Sequence, residues 1–387
     1  MKFADRMKDY EEGIFQVLNE MRLKKEEAGE KVYNFSVGTP DFHPAPHIIE
    51  AVVRAASDPE NYKYSLGDLP QLVQAVEDRY AKRYGVTLRH DEITSVYGSQ
   101  EGIAHICLAL CNPGDLVLVP NPGYPVFTFG PSLAGAKIKT YDLIEENGYL
   151  PNLSDIGEET AKAAKCIVVS YPLNPVCKCA PVSFYEELIA WAKKYDVIVI
   201  HDNAYSDIVY DGKVGRSFLS YEGAKEVGVE FYSLSKSYNY TGARVSFLVG
   251  NREIVQTFKR MRSQIDYGTF LPVQLGAVAA LTGSDDCVKE QCLKYEERRN
   301  ALCDGFTKAG WKFERSEGTM FAWAKIPEGF DDDVTFVKAL FEKTGVLCTP
   351  GSSFGTLGKG HVRFALVLPP ETIREAVKAM ENSGILK

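Results

Sequence analysis

Two hydrophobic rhythms divide the chain. Between Thr94 and Leu248, short Val- and Ile-rich runs (TSVYG, LVLVP, KIKTY, CIVVSYP, VIVIHD, EFYSLS and ARVSFLV) alternate with stretches such as EGIAHICLALC and FYEELIAWAKKY, whose apolar residues recur at helical spacing. Runs that are apolar on both faces, separated by helices, predict a mostly parallel sheet covered on both sides. Beyond about Gly283 the pattern changes to long amphipathic helices, Asp285 to Ala309, Asp333 to Lys343 and Glu371 to Ser383, with the strands WKFER, MFAWAKI and HVRFALV. Helices grouped with a short sheet predict an α+β lobe. At the other end, Ile14, Phe15, Val17, Leu18, Met21 and Leu23 fall at helical spacing within Asp9 to Ala28, and VYNFSVGTPDF then turns extended. That helix and loop are too small to fold alone and are expected to pack on the α+β lobe. The predicted fold is therefore α/β, with a large domain over residues 46–283 and a smaller one formed by residues 1–45 and 284–387.

Composition narrows the function classes. A chain of 387 residues, 45% hydrophobic and 25% charged, is neither disordered nor a small disulfide scaffold. Forty-four Lys and Arg against 52 Asp and Glu give a formal charge of −8. No global cationic field recruits nucleic acid or anionic lipid, so neither is expected as a partner, and any anionic ligand needs a local site. The nine cysteines are odd in number and lack repeated C-x-x-C spacing, which argues against zinc ribbons and secreted disulfide frameworks. Most sit in apolar runs as small hydrophobes; only Cys177 and Cys179 stay open. No signal-like apolar stretch opens the chain and nowhere do about 18 apolar residues run together, so a cytoplasmic address without a membrane span is expected.

In a parallel sheet, ligands lie at the carboxyl ends of the strands. VIVIHDNAY puts Asp202 there, with Tyr205 three residues on. EFYSLSKSYNYTGAR brings Ser233, Lys236 and Arg244 within twelve positions, and SYPLNPVC places Asn174 at another strand end. TSVYGSQEGI turns from strand to helix at Gly98, Ser99 and Gln100, a geometry that aims free N–H groups at a phosphate.

These segments, with VGTPDF, YSLG, PNPGYPVF, PGSSFG and VRFAL in the same order, resemble the aspartate aminotransferase superfamily over nearly the whole chain. DYGTFLPVQ and SLSKSYN look most like its bacterial branch of alanine-type and LL-diaminopimelate-type enzymes. The resemblance implies the type I fold of pyridoxal-phosphate enzymes, a mostly parallel seven-stranded sheet flanked by helices. It implies pyridoxal 5′-phosphate as cofactor, an amino acid and a 2-oxo acid as substrates, ping-pong transfer between them, and a homodimer with shared active sites.

Carried onto this chain, the resemblance makes Lys236 the covalent partner of the cofactor aldehyde and the base for the substrate Cα proton, which requires a neutral amine. Asp202 would face the pyridine nitrogen and keep it protonated, while Asn174 and Tyr205 would donate to the ring 3′-oxygen. Arg244, Ser233, the Ser99 and Gln100 amides and Tyr64 of the neighbouring subunit would hold the phosphate, and Tyr124 would stack on the ring. Arg363 would clamp the substrate α-carboxylate with a bidentate fork, and the Gly38 loop would close from the other side.

Competing readings are weaker. Ser233-Leu234-Ser235-Lys236, Ser237-Tyr238-Asn239 and Lys343-Thr344-Gly345 together mimic the serine β-lactamase set, but the S-x-N follows its lysine directly and the S-x-x-K does not open an early helix. A transcription regulator on this fold needs a helix-turn-helix segment, for which the stretch before the first motif is too short. His201 beside Asp202 has no third ligand at supporting spacing, so no metal is expected. A carbon–sulfur β-lyase shares the lysine, aspartate and phosphate cup, and stays open as the alternative. Two departures from the family pattern stand out. Val176-Cys177 replaces the usual Thr-Gly after Asn174-Pro175, removing a glycine's freedom at positive φ, and Ser246 replaces a frequent glycine after Arg244. SQIDYGTFLPVQ carries no arginine for a substrate side-chain carboxylate, leaving only Arg22, Arg260 or Arg262 to reach in.

Overall fold

The computed structural model describes residues 1–3, 7 and 14–386. In chain order the strands are β1 (Tyr33–Asn34), β2 (Ile93–Val96), β3 (Leu116–Asn121), β4 (Lys137–Asp142), β5 (Ala164–Ser170), β6 (Ile198–Asn203), β7 (Gly228–Ser233), β8 (Ser246–Gly250), β9 (Phe321–Lys325), β10 (Val346–Leu347), β11 (Thr349–Pro350) and β12 (His361–Ala365). All seven apolar runs of the middle region become one sheet of order β2-β8-β7-β6-β5-β3-β4. The pairings from β4 through β3, β5 and β6 to β7 are parallel. β8 is antiparallel to both β7 and β2. Because β2 is two reversals away from β7, it runs with the parallel set, and β2, β5, β6 and β7 finish at one edge of the sheet.

Burial explains the composition of these strands. Cys166 to Val169, Val199, Ile200, Val229 and Phe231 are buried, as helices cover both faces. β4 lies at the rim, where Lys137 and Lys139 stay exposed; charged side chains on an edge strand discourage pairing with another chain. The expected helices form as Ser99–Leu110, Val182–Tyr195, Asp286–Lys308, Asp333–Thr344 and Pro370–Ser383. The N-terminal helix is Ile14–Glu27, and its expected start near Asp9 lies outside the described residues.

The remaining strands form a β11-β12-β9 sheet and a two-stranded β1-β10 pair. β1 pairs parallel with β10, and the Phe35 carbonyl accepts from Ala365 N at 2.8 Å, so the N-terminal segment docks onto the C-terminal elements. WKFER does not become a strand. Trp311 and Phe313 instead drive their rings into a cluster with Phe306 and Phe364, and Trp311 Nε1 donates to the Lys325 carbonyl at 2.7 Å. Alternating aromatics satisfy a strand pattern and a packed loop equally well, and here burial of the rings decided.

Candidate active site

Gly98, just beyond β2, has φ 85° and supplies the N-cap of Ser99–Leu110, whose first residues, Ser99 and Gln100, line a cavity. A Cβ on Gly98 would lie 2.2 Å from Arg244 Nη2, so only glycine lets that guanidinium approach the helix start. Arg244 itself has φ 54°, and its Nη1 donates to the Thr241 carbonyl at 3.0 Å. β6 ends in Asp202, and the chain then turns to bring in Tyr205. β7 ends at Ser233, which caps the short turn carrying Lys236.

These groups line one cavity of about 210 Å³. Of the positions expected to hold cofactor or substrate, all but Tyr64 lie on it: Gly38, Ser99, Gln100, Tyr124, Asn174, Asp202, Tyr205, Ser233, Lys236, Arg244 and Arg363. Tyr64 is 78% exposed, outside the cavity of its own chain, with its ring 5.1 Å from that of Tyr267. Lys236 Nζ donates to the Gly38 carbonyl at 3.0 Å. Burial, with Arg363 and Arg244 nearby, brings its pKa down to about 8, so about a tenth of the amine is neutral at pH 7 and the fraction grows as the pH rises. Burial raises Asp202 to about 7, aided by Glu230 on the adjacent strand and opposed by the Ala204 amide.

Arg363 comes from β12. Nη1 donates to Asn174 Oδ1 at 2.9 Å and Nη2 to the Ser36 carbonyl at 3.3 Å, while the Phe321 and Phe354 rings sandwich the guanidinium at 4.1 and 4.6 Å. Burial lowers its pKa to about 10, which still leaves it charged. A Cβ on Gly38 would stand 2.4 Å from the Phe321 ring, so glycine lets the loop lie against β9.

Sequence reasoning missed several groups. Ser235 and Thr241 line the cavity beside Ser233; the Ser-x-Ser spacing ahead of the lysine was the available signal. Phe321 sits inside an apolar run that looks like any core strand. The Gln100 side chain also does more than cap a helix, because its Oε1 accepts from Tyr124 Oη at 3.0 Å and so orients that ring. Both sequence departures have local compensation. Cys177 takes φ 63° despite its side chain; its thiol donates to the Pro175 carbonyl at 3.0 Å and accepts from Thr319 Oγ1 at 3.3 Å. Ser246 Oγ donates to Ser233 Oγ at 3.0 Å, a contact glycine could not make.

The unsatisfied atoms state what the cavity wants. Asp202 Oδ1, Ser99 Oγ and Arg363 Nε are buried without a hydrogen-bond partner. A buried orphan is costly, so a ligand is called for with an N–H opposite Asp202 and anionic oxygens opposite Ser99 and the arginines. A protonated pyridine bearing a phosphate, with a substrate carboxylate, meets all three. Among the described residues, Lys236, Arg244 and Arg363 are the cations on the cavity. The other candidates are engaged elsewhere: Arg22 with Glu26, Arg260 with Thr257, and Arg262 with Asp266 and the Ser95 carbonyl. His201 packs between Tyr185 and Phe218 with Nδ1 3.2 Å from Glu230, and no group of three or more potential metal ligands occurs among the described residues. Lys343 and Thr344 end the helix Asp333–Thr344 and do not line the cavity, which separates the hydrolase-like triplets. No described helix is long and apolar enough to cross a membrane.

The family described as "Aminotransferase class I and II" matches residues 30–380. An LL-diaminopimelate aminotransferase of Halothermothrix orenii is 41% identical, the alignment covering 100% of this chain and 99% of that one. The glutamate-pyruvate aminotransferase AlaC of Escherichia coli is 39% identical, covering 97% and 92%. Substrate-bound BacF of Bacillus subtilis superposes with a TM-score of 0.94 at 34% identity, covering 99% and 98%.

Proposed function

The chain belongs to the class I and II aminotransferases, and from that premise we propose roles for its residues, its assembly and its substrate class. It is a pyridoxal-phosphate enzyme that moves an amino group between an amino acid and a 2-oxo acid by a ping-pong route. When bound, pyridoxal 5′-phosphate supplies an aldehyde for capture of the amino group and a conjugated ring that accepts electron density from the substrate Cα.

Lys236 is the residue that would hold the aldehyde, and its Nζ is placed to take the proton from the substrate Cα; its lowered pKa suits both tasks. Asp202 Oδ1 would accept from the pyridine N–H. Burial raises the proton affinity of this carboxyl, and an N–H partner opposite its unpaired oxygen would hold it in the ionised form. Ser99, Gln100, Ser233 and Arg244 bind the phosphate at the helix start. Asn174 and Tyr205 orient the 3′-oxygen, and Tyr124 covers the ring. Arg363 grips the α-carboxylate, with the Gly38 loop shielding it from water. The observation that carries this assignment is the convergence on one cavity of a neutralisable amine, a buried carboxylate with an unpaired oxygen and two guanidinium groups.

We further assign residues 46–283 to a cofactor-binding domain and residues 1–45 with 284–387 to a smaller one, so that Lys236 and Arg363 lie on different lobes. The protein works as a cytoplasmic homodimer in which Tyr64 serves the neighbouring site. Exposure of Tyr62, Tyr64, Leu66, Ile265, Tyr267 and Phe270, with Tyr62 packed edge-on against Phe270 at 5.3 Å, supports a second copy covering this face. The amino donor is alanine-like or diaminopimelate-like rather than a simple dicarboxylate: among the described residues the cavity offers no cation beyond those committed to cofactor and α-carboxylate, and the distal end of diaminopimelate, an ammonium beside a carboxylate, carries no net charge.

The test is a single-turnover screen with LL-diaminopimelate, alanine, glutamate, aspartate and cystathionine, assaying the released 2-oxo acid and ammonia. Release of the matching oxo acid from diaminopimelate or alanine is expected. Ammonia with pyruvate from cystathionine instead would establish the β-lyase alternative, and preference for aspartate would overturn the substrate class.

A further inference from the structure

Behind the cavity, and not lining it, lies a buried carboxylate that the mechanism above does not use. Asp207 is 6% exposed. Its Oδ2 accepts from Ser237 Oγ at 2.7 Å and Tyr232 Oη at 3.3 Å, and its Oδ1 from Arg79 Nη2 and Arg83 Nε, both at 3.2 Å. Ser237 is the residue after Lys236. Arg79, itself buried, extends its other nitrogen to Asp285, the N-cap of the helix Asp286–Lys308, and Tyr238 Oη approaches the same Asp285 oxygen at 3.3 Å. The same helix reaches the lysine by a second path, because Gln291 Nε2 donates to the Lys236 carbonyl.

We propose that Asp207 is a positioning residue for Lys236: through Ser237 it fixes the turn that carries the amine, and through Arg79 and Asp285 it ties that turn to the first residues of the second lobe. This rests on the reading of Lys236 as the cofactor-bearing lysine. The physical case is one of accounting for donors. A carboxylate that is only a structural counter-ion needs its two arginines. Asp207 also spends its shortest hydrogen bond on a hydroxyl one residue from the reactive amine. A buried anion with charge-assisted partners on three sides has no freedom to drift, so the turn it holds inherits that rigidity. Lys236 Nζ lies at the end of a flexible stem, and its approach to the aldehyde and to Cα depends on where its backbone is pinned. Pinning by Ser237 on one side and Gln291 on the other makes the lysine backbone follow the helix Asp286–Lys308, so the placement of the amine registers the position of the lobe that carries Arg363.

Asp207→Asn risks unfolding by leaving the buried Arg79 and the half-buried Arg83 underpaired, and Asp207 also lies two residues from Tyr205. The informative variant is therefore Ser237→Ala, which removes only the hydroxyl, with Ser237→Thr as the rescue. Both are prepared as holoenzymes. The readouts are kcat and KM separately, the visible circular dichroism of the bound cofactor, which reports how its ring is held, and the melting temperature. For Ser237→Ala we expect kcat to fall about tenfold with a smaller change in KM, an altered visible dichroism, and a nearly unchanged melting temperature; Ser237→Thr restores the first two. Wild-type kcat and dichroism in Ser237→Ala would overturn the inference and leave Asp207 a structural counter-ion. So would a melting temperature loss that accounts for the activity loss without a change in dichroism. Borohydride fixation followed by peptide mapping accompanies each protein. A label on Lys236 in all of them keeps the cofactor assignment intact whatever the variant does, whereas a label elsewhere in the wild type refutes that assignment instead.

Discussion

Asp202→Asn tests the electrostatics of the cavity in a protein from which the cofactor has been removed. The side chain is buried, and its pKa stands at about 7 against an ordinary 3.8. The folded-state value is raised, so the neutral acid contributes stability that is fully present below about 3.8 and is lost as the pH rises through about 7. By proton linkage the loss in the wild-type apoprotein reaches about 2 kcal/mol at pH 5, about 4 kcal/mol at pH 7, and little more above that. Asparagine has nearly the same shape and nothing to ionise. The variant apoprotein is therefore more stable than wild type by an amount that grows by about 2 to 3 kcal/mol between pH 5 and pH 8. Urea denaturation of both apoproteins across that range, at one protein concentration, measures it. On the role proposed for Asp202, the same substitution is expected to cripple the holoenzyme, because the ring nitrogen would lose its anionic partner. A stability difference that stays constant from pH 5 to pH 8 would show that Asp202 is ionised at little cost, and the argument from its unpaired, desolvated oxygen would fail.

Two further substitutions probe the clamp and the departure from the family pattern. Arg363→Lys removes a planar fork that is wedged between two aromatic rings and anchored to Asn174 and Ser36. Half-saturation for the amino acid in single-turnover titrations should rise about tenfold to a hundredfold while cofactor absorbance is retained; unchanged half-saturation would place the carboxylate elsewhere. Cys177 holds φ 63° without being glycine. Cys177→Ala keeps that strain and loses the thiol contacts, whereas Cys177→Gly loses the contacts but relieves the strain. The glycine variant should be the more stable of the two by about 1 kcal/mol in thermal unfolding, and the reverse order would refute the strain.

Periodicity alone determined much of this protein. Alternation of doubly apolar runs with amphipathic helices fixes a covered parallel sheet, since such runs are stable only with both faces buried, and each of the seven becomes a strand. Strand ends then locate Ser99, Asn174, Asp202 and Lys236, because strands running the same way in one sheet bring their carboxyl ends to the same side. What periodicity could not supply is any contact made across long separations. Nothing local in MFAWAKI marks Phe321 as the surface on which Gly38 and Arg363 rest, and nothing in WKFER says that its rings pack into a cluster rather than pair in a ladder. Likewise Arg262, a plausible substrate cation when read alone, is spent on Asp266 and Ser95. The sheet is set by which side chains must leave water, a property of each segment by itself. The site depends on which partners satisfy one another once packed, and only the folded chain decides that.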